Sequence, residues 1–333
     1  MKKYLVTGGA GFIGSNYINY LLDKEKDTLV INLDKLTYAG NLKNLATVEK
    51  LNNYQFVHGD IADEQLLEQL FKKYDFDYIV NFAAESHVDR SIAEPDVFIK
   101  TNIVGTHKLL EIARKRWLPN LNNKKFIQIS TDEVYGELEA EGYFTEETSI
   151  APRSPYSASK ASADLLVMAY YNTYGLPINI TRCSNNYGAY QYPEKLIPSV
   201  ISKCLNHLPI PVYGDGLNIR DWLYVTEHCK AIDLVVAKGK IGEVYNIGGN
   251  NEVTNIDLVK NIIKIVQNKL GDQQINESLI NFVKDRQGHD KRYAIDASKI
   301  KRELGWENKT DFKVGLDMTI EWYLKNKQWL KTV

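Results

Sequence analysis

The sequence predicts an α/β fold, a doubly wound parallel sheet with helices on both faces and a smaller C-terminal lobe. Short apolar runs bounded by turn residues alternate with longer amphipathic stretches, which is typical of parallel strands joined by crossover helices. After about Asn185 the elements become shorter and richer in proline and glycine. With 333 residues, the chain is long enough for two lobes that share one cleft.

Six apolar runs are predicted as strands of the sheet. They cover residues 4–7, 29–33, 55–58, 78–82, 126–130 and 178–182. Apolar residues at helical spacing predict crossover helices over 63–74, 97–115 and 158–174. We expect a nucleotide-binding domain over 1–184 and a lobe over 185–333 that binds substrate. Segments around 226–250, such as 244–247, are expected to return to the main sheet.

Composition and charge restrict the kinds of partner. Lysine plus arginine (41) nearly equals aspartate plus glutamate (42), which argues against nucleic acid or an anionic membrane surface. Three cysteines without a CxxC pair predict neither a disulfide framework nor a zinc site, and no metal is expected. The N-terminus passes directly into the first predicted strand, and no run reaches transmembrane length. We therefore expect a cytoplasmic protein with a small-molecule partner.

A glycine-rich turn, Gly8-Gly9-Ala10-Gly11-Phe12-Ile13-Gly14, follows the first predicted strand and opens a predicted helix. Glycines let the backbone approach a pyrophosphate, and the helix N-terminus offers free N–H groups and a partial positive charge. Any tight turn from strand to helix can show such glycines. The position in the chain favours a dinucleotide site of the Rossmann type, with Gly8, Gly11, Phe12, Ile13 and Gly14 against the cofactor.

Asp34 ends the second predicted strand, about 20 residues past Gly14. A carboxylate here can accept hydrogen bonds from both ribose hydroxyls and would repel a 2′-phosphate, which favours NAD over NADP. The alternatives are a solvated acid for Asp34 and, because of the neighbouring Lys35, the other cofactor. Residues 60–61 and 82–84 also end strands, where such sheets bind ligands.

Tyr156 and Lys160 stand four residues apart at the start of a predicted helix, so both side chains lie on one face. An ammonium there can lower the pKa of a phenol, which is ordinarily about 10, toward the range where a general base works. A chain with 21 tyrosines shows such pairs by chance as well. The glycine turn upstream favours the catalytic interpretation.

Gly8-x-x-Gly11-x-x-Gly14 together with Tyr156-x-x-x-Lys160 resembles the extended short-chain dehydrogenase/reductase superfamily. The resemblance implies that the tyrosine moves the proton of a substrate hydroxyl while a hydride passes to nicotinamide. It also implies that the lysine holds the ribose and tunes the tyrosine.

Two neighbouring carboxyls, Asp132 and Glu133, follow the fifth predicted strand. A nucleotide-sugar 4-epimerase needs only the tyrosine, the lysine and a hydroxyl residue, so two acids indicate additional proton transfers. Dehydration fits, because a ketone at carbon 4 of a hexose acidifies the proton on carbon 5. A carboxylate can remove that proton while a carboxylic acid protonates the hydroxyl leaving carbon 6. Neighbouring carboxyls also push their pKa values apart. The alternative is a solvated loop.

Over nearly its whole length the chain resembles the dTDP-glucose 4,6-dehydratase family, most clearly in residues 33–41, 83–91, 130–136 and 184–188. This implies formation of dTDP-4-keto-6-deoxyglucose and water, with NAD tightly bound and regenerated in each turnover. The product would feed deoxysugar synthesis such as the rhamnose route. Thr131 would hydrogen-bond the reacting hydroxyl, Asp132 would protonate the leaving hydroxyl, and Glu133 would take the carbon-5 proton.

The resemblance also implies two sets of binding residues. The cofactor set is Gly8, Gly11, Phe12, Ile13, Gly14, Asp34, Lys35, Leu36, Thr37, Asp60, Ile61, Phe82, Ala83, Ala84, Ser86, Thr101, Tyr156, Lys160 and Asn186. The substrate set is Ser86, Thr131, Asn185, Lys195, Leu196, Pro211, Val212, Tyr213, Arg220, Asn255, Asp285, Arg286, Gln287, Gly288 and His289. Arg220 and Arg286 would clamp the diphosphate. Each arginine taken alone is more typical of an ion pair, with Asp221 or Asp285.

The chain departs from the motifs of this family at two places, and the resemblance also implies an oligomeric state. Gln287 stands where the family commonly has proline, so a less rigid loop is expected, and residues 137–145 form a shorter segment. His87 and His289 are expected to be structural or hydrogen-bonding. The resemblance implies a homodimer that packs helices over 97–116 and 158–174 into a four-helix interface.

Two other functions stay open at this point. One is a nucleotide-sugar 4-epimerase, and the other is a noncatalytic NAD-sensing protein on the same fold. The joint presence of Tyr156, Lys160, Asp132 and Glu133 favours an enzyme, because a protein that has lost catalysis is free to lose any of them.

Overall fold

The computed structural model describes residues 1–286 and 288–330. The strands are β1 (Lys2–Thr7), β2 (Thr28–Asp34), β3 (Tyr54–His58), β4 (Tyr78–Asn81), β5 (Lys125–Thr131), β6 (Ile178–Cys183), β7 (Asn185–Tyr187), β8 (Ile210–Tyr213), β9 (Ile219–Tyr224), β10 (Val244–Ile247), β11 (Glu252–Thr254) and β12 (Ile280–Val283).

The helices are α1 (Phe12–Lys24), α2 (Glu64–Lys73), α3 (Val88–Ala93), α4 (Pro95–Phe98), α5 (Thr106–Trp117), α6 (Pro155–Tyr174), α7 (Leu196–Leu205), α8 (Val225–Lys238), α9 (Asn255–Leu270), α10 (Ser298–Leu304), α11 (Phe312–Lys325) and α12 (Lys327–Leu330). Short 3₁₀ segments cover Leu42–Leu45, Asp132–Tyr135 and Glu277–Leu279. Within the two described ranges, no helix has the length and apolar character needed to cross a membrane.

Seven strands form one parallel sheet in the order β10-β6-β5-β4-β1-β2-β3, which confirms the predicted doubly wound arrangement. Chain order reverses between the neighbours β1 and β4, so a crevice opens at their carboxyl ends. β10 pairs with β6, which brings residues 244–247 back to the main sheet as expected.

Helices cover both faces of this sheet. Val6, Val30 and Ile127 pack with α1, α8 and α10, whereas their chain neighbours Leu5 and Ile31 pack on the opposite face with α2, α5 and α6. Because side chains alternate across a strand and both faces are covered, the strands are almost continuously apolar. That burial explains the unbroken apolar runs in the sequence.

A separate core lies in the C-terminal half. Tyr187, Trp222, Ile262 and Leu316 are buried between α7, α9 and α11, and none of them belongs to the cores on either face of the main sheet. Two small sheets accompany this core, one in the order β11-β9-β7 and one that pairs β12 with β8. β9 runs along the cleft and carries Arg220 toward it.

The predicted helix over 97–115 differs from the structure. α4 ends at Phe98, a π-helical segment covers Ile99–Gly105, and α5 begins at Thr106. The buried Asn102 amide inside this segment donates to Ser159 Oγ at 2.8 Å and to the Glu85 backbone oxygen at 3.0 Å. These hydrogen bonds to residues distant in sequence favour the wider π-helical turn. The spacing of apolar residues does not predict such a turn.

The turn between β1 and α1 requires glycine because two strands meet there. Gly8 has φ +68°, and a Cβ atom on it would stand 2.6 Å from the backbone nitrogen of Ala83. A Cβ atom on Gly14 would stand 2.4 Å from the backbone oxygen of Gly8. Close packing of the chain on itself thus holds the carboxyl ends of β1 and β4 together.

Alanine substitution at two glycines distinguishes the energetic cost of this close packing from the cost of a left-handed backbone. Gly271, at the C-terminus of α9, has φ +67° with nothing within 4 Å of a Cβ atom. Gly271→Ala should lower the free energy of unfolding by about 1–2 kcal/mol, the cost of a left-handed backbone. Gly8→Ala should lose about 1–3 kcal/mol more, because its methyl group meets backbone atoms. Urea unfolding measures both, and equal losses would contradict the interpretation.

Candidate active site

Two adjoining cavities lie at the carboxyl edge of the main sheet. The first has a volume of about 310 Å³ and follows β1, β2, β4 and β5, whereas the second has about 380 Å³ and extends toward β8, β9 and α7. Six residues line both cavities and mark where they meet: Ser86, Glu133, Asn185, Gln191, Glu194 and Lys195. Glu133 is therefore placed to reach groups bound on either side.

The first cavity is lined by all the predicted cofactor residues except Leu36. The Leu36 side chain packs against the sheet core instead, and its backbone N–H donates to Asp34 Oδ1 at 2.8 Å. Thr101 lines the cavity from within the π-helical segment. The residues thus converge although they come from seven separate segments of the chain.

Asp34 is buried, with 8% of its surface exposed, so it is not the solvated acid of the alternative interpretation. Burial raises the pKa of its carboxyl, and hydrogen bonds from the Leu36 and Ala10 backbone counter that rise. Its Oδ2 accepts from Ala10 N at 2.9 Å. Each carboxylate oxygen keeps a further lone pair for a ligand hydroxyl. Lys35 pairs with Asp60 at 2.9 Å, which engages its charge within the protein.

The shape and donor set of this cavity fit a dinucleotide. Side chains on Gly8 or Gly14 would fill the space where the backbone turns. Gly11, at the N-terminus of α1, makes no side-chain cap, so the first helical N–H groups face the cavity without a side-chain acceptor. Such a terminus attracts phosphate, and the Asp34 carboxylate lies at the far end for a ribose.

Thr131, Asp132 and Glu133 lie where β5 turns into a 3₁₀ segment. The Thr131 hydroxyl accepts from Glu133 N at 3.3 Å and donates to Asp132 Oδ1 at 3.2 Å. Asp132 is 2% exposed, and its Oδ2 has no hydrogen-bond partner among the described residues. The two carboxyls are thus fixed on a short rigid turn rather than in a solvated loop.

The surroundings of the two acids differ in charge. Burial raises the pKa of Asp132 well above its ordinary value, and the carboxylates of Glu133 and Asp221 raise it further. Burial also raises the pKa of Glu133, but the positive charges of Arg220, Lys195 and Arg286 oppose that rise. The surroundings of Asp132 therefore favour its protonated form, whereas the cations around Glu133 favour its carboxylate. This is the division into acid and base that dehydration requires.

Tyr156 and Lys160 both line the first cavity, on the first turns of α6. The structure differs from the expectation that Lys160 lowers the pKa of Tyr156. Burial raises the pKa of Tyr156 well above its ordinary value, and the Glu133 and Asp132 carboxyls raise it further. Lys160 Nζ instead donates to the backbone oxygen of Ile129 at 2.6 Å. The four-residue spacing predicted that both side chains lie on one face of the helix. It did not predict which group the Lys160 ammonium would contact.

The second cavity is lined by most of the predicted substrate residues. They are Ser86, Asn185, Lys195, Leu196, Pro211, Val212, Tyr213, Arg220, Asn255, Arg286, Gly288 and His289. Thr131 faces the first cavity. Asp285 lines neither cavity and contacts His289 Nδ1 at 2.6 Å. Gln287 lies outside the described residues.

Arg220 and Arg286 do not form the ion pairs with Asp221 and Asp285 that were considered above. Arg220 donates to the backbone oxygens of Asp290 at 2.8 Å and Ile219 at 2.7 Å, and its guanidinium stands 4.4 Å from the Tyr293 ring centre. Arg286 approaches Asp89 at 3.5 Å instead of Asp285. Because Arg220 is 8% exposed and is bound by neutral carbonyls, its charge is available to an anion in the cavity.

Several cavity residues escaped the sequence interpretation. Tyr38 lies inside a recognised motif, and that position could have identified it. Asp290 and Tyr293 follow the His289 loop closely in the sequence and line the second cavity. Gln191, which lines both cavities, follows no local pattern that would have indicated it.

The short segment 137–145 packs on the C-terminal part of the chain. Leu138 N donates to the Arg292 backbone oxygen at 3.2 Å, and Phe144 N donates to that of Ala294 at 3.0 Å. Arg153 forms ion pairs with Glu137 and Asp290. Of the residues in these contacts, Asp290 lines the second cavity.

Known proteins share this chain's sequence over its full length. The family model for GDP-mannose 4,6 dehydratase matches residues 5–319. A dTDP-glucose 4,6-dehydratase of Xanthomonas campestris pv. campestris is 53% identical over 339 residues, which cover 100% of this chain and 96% of that protein.

Solved structures of dTDP-glucose 4,6-dehydratases are similar to this chain in both sequence and fold. A dTDP-glucose 4,6-dehydratase from Bacillus anthracis in complex with NAD is 52% identical, with a TM-score of 0.90 and coverage of 100% of this chain and 99% of that chain. DesIV, a dTDP-glucose 4,6-dehydratase from Streptomyces venezuelae with NAD and TYD bound, is 47% identical, with a TM-score of 0.91 and coverage of 99% of each chain. The present chain belongs to the dTDP-glucose 4,6-dehydratase family.

Proposed function

We propose that this chain converts dTDP-glucose to dTDP-4-keto-6-deoxyglucose and water, with NAD kept on the enzyme. The observation that supports this most strongly is the pair of acids at the junction of the cavities. Glu133 lines both cavities, and burial raises the pKa of Asp132 beside it, which favours the protonated acid. A 4-epimerase does not need that pair.

The first cavity holds the cofactor in this proposal. Gly8, Gly11 and Gly14 would hold the diphosphate, Asp34 would accept from the ribose, and Thr101 and Asn186 would contact the nicotinamide end. Bound there, NAD would supply a hydride acceptor in its oxidised form and a hydride donor in its reduced form, so that no external oxidant or reductant is needed. The second cavity holds the sugar nucleotide, with Arg220 and Arg286 on its diphosphate.

The proton transfers belong to the chain. Tyr156 takes the proton of the carbon-4 hydroxyl, which Thr131 hydrogen-bonds. This step needs the Tyr156 phenolate, and a cationic ligand in the first cavity would favour that form against the burial that raises its pKa. Glu133 takes the carbon-5 proton, and Asp132 protonates the carbon-6 hydroxyl, which leaves as water. Glu133 then returns a proton to carbon 5. The proton gained by Tyr156 replaces the one that Asp132 lost, so the cycle balances without an external acid.

This division of labour assigns NAD to residues 1–184 with the returning segment around 226–250, and the sugar nucleotide mainly to residues 185–333. Three buried, unpaired cysteines are consistent with a reducing compartment, and we place the reaction in the cytoplasm. The product would supply deoxysugar synthesis such as the rhamnose route.

The substrate is tested with purified protein and no added NAD. Incubation with dTDP-glucose should yield a product lighter by one water, detected by mass spectrometry. Tyr156→Phe should lower the rate by about 10²–10⁴-fold, because it removes the acid–base group. UDP-, GDP- and CDP-hexoses serve as controls for the nucleotide. A product of unchanged mass would support the epimerase, and NAD binding without turnover of any sugar nucleotide would support the noncatalytic alternative.

The two acids are distinguished by a matched pair of amide variants assayed in deuterated water. Glu133→Gln should still allow hydride to reach NAD, seen by nicotinamide absorbance, yet block deuterium incorporation at carbon 5. Asp132→Asn should allow incorporation at carbon 5 while slowing loss of water, because only protonation of the leaving hydroxyl is removed. Deuterium exchange at the normal rate in Glu133→Gln would refute the assignment of the base.

A homodimer is the assembly that we propose. Apolar side chains on α3, α4, the π-helical segment and α6 are unusually exposed, with Leu165 at 59%, Ile99 at 49% and Val97 at 42%. α6 contacts α3, α4 and the π-helical segment, and exposed apolar side chains gathered on neighbouring helices are typical of an interaction site. Two copies of these helices would form the four-helix interface.

The dimer is tested by charge substitution. Leu165→Asp should yield a monomer by light scattering, because an aspartate buried at the interface is costly. Val314→Asp is the matched control, since Val314 is 55% exposed on the distant α11 and should leave the dimer intact. Retention of the dimer in Leu165→Asp would place the interface elsewhere.

A further inference from the structure

Helix α6 brings a third ionisable side chain beneath Tyr156 and Lys160. Asp164 follows Lys160 by one helical turn and therefore lies on the same face. It is fully buried, at 0% exposure, and lines neither cavity. The proton transfers proposed above do not use it, so its burial needs another explanation.

The Asp164 carboxylate joins α6 to two strands. Its Oδ2 accepts from Arg182 Nε at 2.9 Å and from Ser130 Oγ at 3.0 Å. Ser130 on β5 and Arg182 on β6 are paired in the parallel register, so both bonds lie at one level of the sheet. Oδ1 has no hydrogen-bond partner among the described residues. Breaking a buried ion pair is costly, which makes this junction rigid.

The junction lies one residue away from the reacting groups. Ser130 immediately precedes Thr131, and Lys160 Nζ donates to the backbone oxygen of Ile129, the residue before Ser130. Lys160 and Asp164 therefore hold adjacent residues of β5. Movement of α6 relative to β5 would displace Tyr156 from Thr131 and the two acids.

The charges at the junction support one another. Burial lowers the pKa of Lys160, and the Asp164 carboxylate is the strongest charge that opposes this, with Cys183 on β6 adding to it. Burial raises the pKa of Asp164, and Arg182 and Lys160 oppose that rise. Arg182 faces the Tyr135 ring at 4.8 Å on its other side. Each charged form thus depends on its neighbours.

We propose that Asp164 is a positioning residue for the dehydration: held between Arg182 and Ser130, its carboxylate fixes this part of α6 on β5 and β6 and so keeps Lys160 aligned against β5. This rests on the proposed function. Asp164 touches neither cofactor nor substrate, and it acts through Lys160.

Steady-state kinetics of Asp164→Asn test the proposal. The amide keeps the shape and removes the charge, so kcat should fall by about tenfold to a hundredfold while KM for dTDP-glucose stays unchanged. Asp233→Asn is the matched control, because Asp233 is 6% exposed and pairs with Lys24 on α1, away from both cavities. This control should keep the wild-type kcat.

A double-mutant cycle distinguishes positioning from a general structural role. If Asp164 acts through Lys160, Asp164→Asn should cause no further loss of kcat in a Lys160→Ala background. Independent losses that multiply, or a wild-type kcat in Asp164→Asn, would overturn the proposal. If wild-type protein itself releases no water from dTDP-glucose, the proposed function fails and this inference fails with it.

A second variant covers the case in which Asp164→Asn does not fold. Ser130→Ala removes one hydrogen bond to the carboxylate and leaves the ion pair with Arg182 intact. Its kcat should fall severalfold with an unchanged KM, and this loss should also vanish in the Lys160→Ala background. An unchanged kcat in folded Ser130→Ala would overturn the proposal.

Discussion

The parallel pairing of β5 with β6 is the constraint on which the rest of the site depends. It sets Ser130 beside Arg182 and Thr131 beside Cys183. The end of β5 then delivers Thr131, Asp132 and Glu133 to the cleft, and the end of β6 leads into the residues at the junction of the cavities. α6 packs on these strands and carries Tyr156 and Lys160. A slip of one residue in this register would turn every one of these side chains away.

Burial then determines which of the site's ionisable side chains act as acids and which as bases. Asp132 and Glu133 are adjacent in sequence, yet one faces carboxylates and the other faces cations. Burial strengthens both effects, because charges interact more strongly in a low-dielectric interior. The same burial raises the pKa of Tyr156 and lowers that of Lys160. The fold therefore sets proton affinities through the position of each side chain rather than through its type.

Local patterns in the sequence were sufficient for the parallel sheet, the glycine turn and the strand-end residues of the first cavity, whereas most residues of the second cavity came from the resemblance to a family. Apolar runs, strand ends and fixed spacing are properties of short segments, and the parallel sheet translates them directly into position. Contacts between distant segments were not predictable in this way. Arg286 approaches Asp89 rather than Asp285, and Lys160 Nζ donates to the backbone oxygen of Ile129. Each depends on where separate elements pack, which local spacing does not specify.

The π-helical segment Ile99–Gly105 has a consequence for length variation among relatives. A π turn holds more residues than an α turn over a similar rise. Loss of one residue there could be absorbed by closing the turn into a regular helix, with α4 and α5 left in place. The widened turn that brings Thr101 to the first cavity would disappear. Insertions and deletions in this segment would therefore leave the architecture intact while altering the pocket, so an alignment gap there marks a change in ligand contact rather than in fold.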